Sequence, residues 1–230
     1  MRIGNRLEGE WIDAMLHLMD RQVVDVEGRM VCNVDDLEIT LDDDGGTPAV
    51  TRLLTGPAAL LPRMSGRTGH WLRRRWISLG IQYAHRDVPL AIDLERIRHL
   101  GSAVELDVRR DGLLDLEPDA EPGTSHRRLG ELLGMAVEGP GGHVGKVLDV
   151  RLSADPGRYE FGHLVIGPGH PGSMLGYDRG DFNGPWLVQR IVGRLHRHVG
   201  LLSWDEVEAV DWDHGGVRVT EEPQLLTEID

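Results

Sequence analysis

Cysteine, lysine and long apolar runs are scarce in this sequence, and each scarcity excludes a class of protein. Cys32 is the single cysteine among 230 residues, which excludes an internal disulfide and a cysteine-rich zinc site. No stretch approaches the roughly 18 apolar residues of a membrane span, and residues 1–8 lack the apolar run of a signal peptide. We therefore expect a cytoplasmic protein, with peripheral attachment at the inner face of the membrane as the alternative.

Positive charge is also in short supply. The chain has 38 acidic residues against 25 Lys and Arg, which gives a formal net charge of −13. A field of this sign repels phosphate backbones and anionic lipid at long range. Direct binding to nucleic acid is therefore not expected, and binding to an anionic membrane surface should be weak. Every basic residue except Lys146 is arginine, which fits either a GC-rich genome or bidentate contacts to carboxylates and phosphates.

The remaining composition is that of a folded protein rich in turns. Hydrophobic residues make up 40% of the chain and charged residues 27%, and there are 30 Gly and 12 Pro. A length of 230 residues is comfortable for two domains. Short alternating apolar runs bounded by Gly, Asp and Pro predict antiparallel strands joined by hairpins, so we expect a mainly β fold.

Three segments recur along the chain at nearly one spacing. The strand pattern that ends at Asp36 matches the pattern that ends at Asp149. Two further segments recur in the same order and at almost the same shift, Leu53–Pro57 as Leu164–Pro168 and Leu94–Leu100 as Trp204–Val210. Collinear matches of this kind predict two tandem copies of one module.

The boundary between the copies is predicted near residue 120. Residues 118–125 are poor in apolar side chains and contain Pro118 and Pro122, which is typical of a linker. We therefore predict a first domain over 1–117, a linker over 118–125, a second domain over 126–222 and a C-terminal tail over 223–230.

Each copy also contains a basic segment with helical spacing and tryptophan. In the first copy this segment is residues 69–80, and in the second it is residues 186–198. Leu72, Trp76 and Leu79 fall along one side of the first segment, and arginines occupy the rest. We predict a short basic helical insert at the equivalent place in each domain.

The strand Val144–Val150, with the pattern Val-Gly-x-Val-x-Asp-Val, resembles the signature of the PRC-barrel family. The closing pattern Ser203–Val210 is similar to that family as well. The resemblance covers most of residues 130–220 and, more loosely, 16–109, where Cys32 stands in place of the glycine. It implies two tandem small β-barrels that work as adaptors without a catalytic residue of the family, while the helical inserts depart from the minimal barrel.

Other motifs favour ordinary structure over chemistry. Gly167–Gly172 fits the letters of a phosphate loop, but Pro168 and Pro171 remove two of the backbone donors such a loop needs. Asp42–Asp44 lacks the spaced ligands of a calcium loop and is read as a hairpin turn. No three-ligand histidine cluster is recognisable, and Cys32 lies in an apolar strand pattern typical of an inert thiol. We therefore predict no enzyme activity, no cofactor and no metal.

The basic segments are the best candidates for partner binding, because Trp and Arg are the usual anchors of interfaces. Packing of each helix on its own domain, with solvated arginines, is an equal alternative. The predicted function is a protein-binding adaptor or scaffold; the alternatives are a ribosome-maturation or RNA-processing accessory factor, a peripheral membrane protein, and a homo-oligomer formed through these helices. The predicted partner-binding residues are Arg63, Arg67, Trp71, Arg73, Arg74, Arg75, Trp76, Trp186, Arg190, Arg194 and Arg197.

Overall fold

The computed structural model describes residues 11–63, 88–153, 159–168 and 199–225. Strands dominate this part of the chain and the helices are short, so the prediction of a mainly β fold is confirmed. Both predicted basic helices, at 69–80 and 186–198, lie outside the described residues. No helix in the described ranges is long and apolar enough to cross a membrane.

The chain divides into two compact units that interleave in sequence. Among described residues, unit 1 contains 11–12, 17–63, 88–131, 153 and 159–160. Unit 2 contains 13–16, 132–152, 161–168 and 199–225. Unit 1 thus includes residues 118–125, predicted to be a linker, and unit 2 includes a short segment from near the N-terminus.

Unit 1 is built from two sheets. Its elements, in chain order, are β2 Gln22–Val24, β3 Met30–Asn33, β4 Asp36–Asp42, β5 Ala49–Thr55, α2 Pro57–Arg63, β6 Leu90–Asp93, a 3-10 turn Leu94–Arg96, β7 Ile97–Leu100, β8 Val104–Leu106, β9 Asp115–Leu116 and β10 Thr124–Arg128. One sheet has the order β3-β2-β8-β7, with β2 and β8 parallel. The other runs β10-β4-β5-β6-β9, and Tyr159 and Glu160 pair with β5 beside β6.

The core of unit 1 lies under β4 and β5. Leu37, Ile39 and Leu54 are fully buried there. Burying each such side chain stabilises the fold by about 1.5–3 kcal/mol. The opposite face of β4 is buried as well, but it carries Asp36 and Glu38. Strand β4 therefore brings acidic side chains into the interior of unit 1, where they need polar partners.

Unit 2 has a similar order of elements, with two longer strands at its centre. Its elements are most of α1 Ala14–His17, which follows β1 Trp11–Asp13, then the end of α3 Leu129–Leu132, β11 Ala136–Gly139, β12 Gly142–Ser153, β13 Tyr159–Gly167, β14 Gly200–Ser203, a 3-10 turn Trp204–Glu206, β15 Val207–Asp211, β16 Gly216–Val219 and β17 Gln224–Leu225. The strands run in the order β15-β16-β11-β12-β13-β14-β17. Leu148, Val165, Val199 and Leu201 form a buried apolar cluster within it.

The strand pairings of the two units correspond, with the long strand β12 of unit 2 in the place of both β3 and β4 of unit 1. In unit 1, β2 pairs antiparallel with β3 and parallel with β8, as β11 pairs with β12 and β16 in unit 2. The series β4-β5-β6-β9 corresponds to β12-β13-β14-β17, and a 3-10 turn follows the third strand of each series. Within the described residues these paths are open, so closed barrels are not confirmed.

A buried aspartate occupies the same strand position in both units. In unit 1, Asp36 accepts hydrogen bonds from the backbone N–H of Gly130 at 2.9 Å and of Leu37 at 2.8 Å. In unit 2, Asp149 accepts from the N–H groups of Met15 at 2.7 Å, Leu16 at 3.2 Å and Val150 at 2.7 Å. Each aspartate therefore satisfies the first N–H groups of a short helix, α3 in unit 1 and α1 in unit 2.

Candidate functional site

The partner-binding surface predicted from the sequence falls almost entirely outside the described residues. Arg63 is the last residue of α2, and its side chain is not described. The other members lie in residues 64–87 and 169–198: Arg67, Trp71, Arg73, Arg74, Arg75, Trp76, Trp186, Arg190, Arg194 and Arg197. This surface stays a prediction.

Unit 1 contains a second candidate, a buried polar cluster on the acidic face of β4. Strand β5 places Arg52 directly opposite Glu38, and β10 places Arg128 opposite Glu38 on the other side. His126 lies two residues before Arg128 and therefore projects from the same face of the sheet. Glu117 follows β9 and completes the cluster from the edge of the sheet.

Glu38 is fully buried, and its two carboxylate oxygens differ in their surroundings. Oε1 accepts hydrogen bonds from Thr51 Oγ1 and from the Arg52 guanidinium, both at 2.6 Å. Oε2 is buried without a hydrogen-bond partner and lies 3.4 Å from His126 Nδ1. One oxygen is thus fixed by its neighbours, and the other points at the imidazole.

Glu117 and Arg128 form the outer side of the cluster. The Arg128 guanidinium lies 3.4 Å from Glu117 Oε2 and also donates to the Ala58 carbonyl at 2.7 Å. Burial raises the pKa of Glu117; the Arg128 charge lowers it in part, and the nearby Glu38 carboxylate raises it again. Two carboxylates and one imidazole therefore converge, with a ligand atom of each within 4.8 Å of the others.

Sequence reasoning missed this cluster because its members are far apart along the chain. Glu38 falls in the predicted first domain, and Glu117 falls at the predicted end of that domain. His126 falls in the predicted second domain. Only the antiparallel pairing of β10 with β4 brings His126 to Glu38. One signal was available, since Glu38 stands between the apolar residues Leu37 and Ile39 in a segment with the pattern of a strand.

A third feature of unit 1 is the loop between β2 and β3, which Asp25 holds in one conformation. Asp25 is buried, and its Oδ1 accepts from the N–H groups of Glu27 at 2.9 Å and Arg29 at 2.8 Å. Its Oδ2 accepts from Arg29 Nε at 3.0 Å and Arg110 N–H at 3.2 Å. Gly28 has φ +76°, a left-handed conformation that suits the turn.

This hydrogen-bonded loop and the first residue of β3 present apolar side chains to solvent. Val26 is 42% exposed and Met30 is 49% exposed. Around them, Arg29 pairs with Glu27 at 2.9 Å, and Arg109 pairs with the same carboxylate at 3.0 Å. We call Val26, Met30, Arg29 and Arg109 the hairpin surface. The equivalent turn of unit 2, Gly139–Gly142, consists of glycine and proline alone.

Cys32 and Asp42–Asp44 lie apart from these features. Cys32 is half-buried, and burial raises the pKa of its thiol to about 11; a hydrogen bond with Thr55 lowers it in part, and Asp35 raises it. Such a thiol is protonated at neutral pH. Asp43 and Asp44 form an exposed turn after β4.

Comparison with known proteins adds no family assignment. No protein-family model matches the sequence, and no curated protein matches it.

Proposed function

We propose that the protein is a non-enzymatic protein-binding adaptor built from two copies of one PRC-type barrel module. The correspondence of strand pairings supports two copies, as does the buried aspartate at the same position of each. In unit 1 the chain passes from β3 into β4 and from β6 into β7 with only a short bend or 3-10 turn between them. These two connections link β3 and β7, the edge strands of one sheet, to the inner strands β4 and β6 of the other. Chain segments that pass from one sheet to the other in this way are expected of a small barrel built from two sheets.

The hairpin surface is the observation that carries the binding function. A rigid loop loses little conformational entropy when it binds, so exposed apolar side chains on it are effective contacts. Arginine beside exposed Val and Met is typical of an interface, with an apolar centre and a polar rim. Strand β3 is also the edge of its sheet among the described strands, so a partner strand could add to it.

The arginine- and tryptophan-bearing segments remain a second proposed contact, on sequence grounds alone. They comprise the set from Arg63 to Trp76 and the set from Trp186 to Arg197. The two proposed contacts can be tested separately, because the hairpin surface can be mutated without changing these segments.

The test compares proteins retained by the tagged wild-type chain and by the double variant Val26→Asp, Met30→Asp. We expect a specific partner that binds the wild type and is lost from the variant, because two charges in the apolar centre oppose its desolvation. Leu116→Asp is the matched control, since Leu116 is 41% exposed on unit 1 but outside the hairpin surface. Circular dichroism is the check that each variant is folded.

Other outcomes would replace the proposal. Retention of the same proteins by the double variant would remove the hairpin surface as the interface. Co-sedimentation of the wild type with ribosomal subunits would favour the maturation-factor alternative, and salt-sensitive flotation with anionic liposomes would favour peripheral membrane binding. A shift in oligomeric state of the double variant, seen by light scattering, would identify a second copy of the chain as the partner.

A further inference from the structure

The starting observation is the buried Oε2 of Glu38. A carboxylate oxygen removed from water without a donor is costly, and native proteins rarely leave one in that state. Here Thr51 and Arg52 hold Oε1, so Oε2 keeps a fixed direction toward His126. This oxygen is therefore a strong acceptor, and a positively charged group between it and His126 would satisfy it.

The separation of the two facing atoms matches a metal coordination shell. Two ligands about 2.1 Å from a tetrahedral zinc ion lie about 3.4 Å from one another. Glu38 Oε2 and His126 Nδ1 are 3.4 Å apart. One ligand atom each of Glu38, Glu117 and His126 lies within 4.8 Å of the other two. The third protein ligand would be a carboxylate oxygen of Glu117.

We propose that Glu38, Glu117 and His126 form a binding site for a divalent transition-metal ion of the zinc type. Two carboxylates with one imidazole suit Zn²⁺, Co²⁺ and related ions, whereas Ca²⁺ and Mg²⁺ prefer an all-oxygen shell with more ligands. Arg52 and Thr51 act as outer partners that orient Glu38. The site lies wholly within unit 1 and does not depend on the hairpin surface or on a protein partner.

Two other positive groups could satisfy Oε2, and the test must separate them from a metal. A proton shared between Glu38 and Glu117 would do so, and so would an imidazolium form of His126. Neither of them predicts saturable binding of Co²⁺ or Zn²⁺. Arg128 lies 3.4 Å from Glu117 Oε2, so Oε1 is the Glu117 oxygen that we propose as the ligand.

The experiment uses the full chain, freed of metal with EDTA and dialysed. Zn²⁺ binding is followed by calorimetry, and Co²⁺ binding by its visible absorption, which reports a low-symmetry nitrogen and oxygen shell. We expect one equivalent to bind, with a rise in Tm, and a loss of affinity of about a hundredfold or more in His126→Ala. Millimolar Mg²⁺ should not displace the ion.

Two controls make the result specific. Glu117→Gln is nearly isosteric and is expected to fold as the wild type does while losing the Co²⁺ absorption, so failure of His126→Ala to fold would not leave the proposal untested. His214→Ala removes an exposed histidine whose Nδ1 lies 3.0 Å from Asp211 Oδ2, another His and Asp pair that could attract an ion, and it should bind normally. No saturable binding by the wild type, or binding lost in His214→Ala and retained in Glu117→Gln, would overturn the proposal.

Discussion

The two units use opposite charges at the same place in their central strand pair. In unit 1, Glu38 on β4 faces Arg52 on β5, with His126 beside them. When the repeat is aligned on its two buried aspartates, Glu38 corresponds to Arg151 on β12, which faces His163 on β13. An acidic residue with basic neighbours in one unit thus corresponds to a basic residue in the other.

In unit 2 the partner of the arginine is an acidic residue, so the charges of the pair are exchanged relative to unit 1. Arg151 binds Asp13 through two contacts, 2.9 Å from Nε to Oδ1 and 3.4 Å from NH2 to Oδ2. The same alignment places Asp13 at the position of His126, so the partner positions correspond as well. Burial lowers the pKa of His163 and the Arg151 charge lowers it further, while the Glu206 and Asp205 carboxylates raise it in part. At this position a charged side chain needs a partner of opposite charge, but the charge itself can be positive or negative. Among the described residues, unit 1 has three metal-ligand side chains at this position.

The largest effect on stability should come from placing the arginine of unit 2 at position 38 of unit 1 without the neighbours that Arg151 has in unit 2. Glu38→Arg places a second guanidinium beside Arg52 in a buried site, and removal of one partner from a buried pair costs about 3–5 kcal/mol. We expect a loss of this size in urea unfolding. The triple variant Glu38→Arg, Arg52→His, His126→Asp carries the whole set of unit 2.

The triple variant should recover more than half of that loss and should not bind Zn²⁺ or Co²⁺. Recovery of stability would show that the two positions are interchangeable in charge. A triple variant that is no more stable than Glu38→Arg alone would show that unit 1 depends on the sign of the charge after all.

The buried aspartates provide the second test. Asp149→Ala removes the acceptor of at least three backbone N–H groups in unit 2, and Asp36→Ala removes that of at least two in unit 1. Each buried N–H that loses its partner costs about 1–3 kcal/mol, less where water can enter. We expect both variants to lose about 2–4 kcal/mol, with the larger loss for Asp149→Ala, measured as the change in urea midpoint at constant slope. Asn at either position is the control, because it keeps one acceptor oxygen. Equal stability of Asp149→Ala and the wild type would contradict the capping role.

A smaller difference is expected where Cys32 of unit 1 corresponds to Gly145 of unit 2. A Cβ on Gly145 would lie 2.8 Å from the Gly167 carbonyl oxygen and 3.0 Å from Ile166 Cγ2. Gly145→Ala should therefore cost about 1–3 kcal/mol as the neighbouring strand shifts. Cys32 has room for its own side chain, so Cys32→Ala should change stability by less than about 1 kcal/mol. Thermal unfolding of both variants measures the difference. A Gly145→Ala variant as stable as Cys32→Ala would show that the backbone of β13 can shift at little cost in stability.

The sequence was informative about strands and uninformative about what they bring together. Alternating apolar runs and turn residues predicted the mainly β fold, because these signals are local. The register of β10 on β4 depends on a segment predicted to lie at the linker, and the Glu38 cluster exists only through that register. The same limit applies in unit 2, where Asp13 reaches Arg151 across most of the chain. Ion pairs of this kind leave no spacing signal in a single sequence.

The smallest effect concerns the turn between the first two strands of the modules, where unit 1 has Asp25 and unit 2 has a glycine-rich turn. Burial by itself raises the pKa of Asp25, but hydrogen bonds from the backbone of Arg29 and Arg110, the Arg29 side chain and the Glu27 N–H hold it at about 2, below the ordinary 3.8. The folded state therefore binds this proton less readily than the unfolded state does.

It follows that the stabilisation by ionised Asp25 is fully present above about pH 4 and is lost as the pH falls through about 2. Asp25→Asn has no such titration, so its stability relative to the wild type should rise as the pH is lowered from about 5 to about 2. Urea midpoints at matched pH values measure this difference, and the other acidic groups cancel because both proteins carry them. If the Asn variant is less stable than the wild type by the same amount at both ends of this range, Asp25 acts through hydrogen-bond geometry alone. The charge of Asp25 would then play no part in the difference between the two turns.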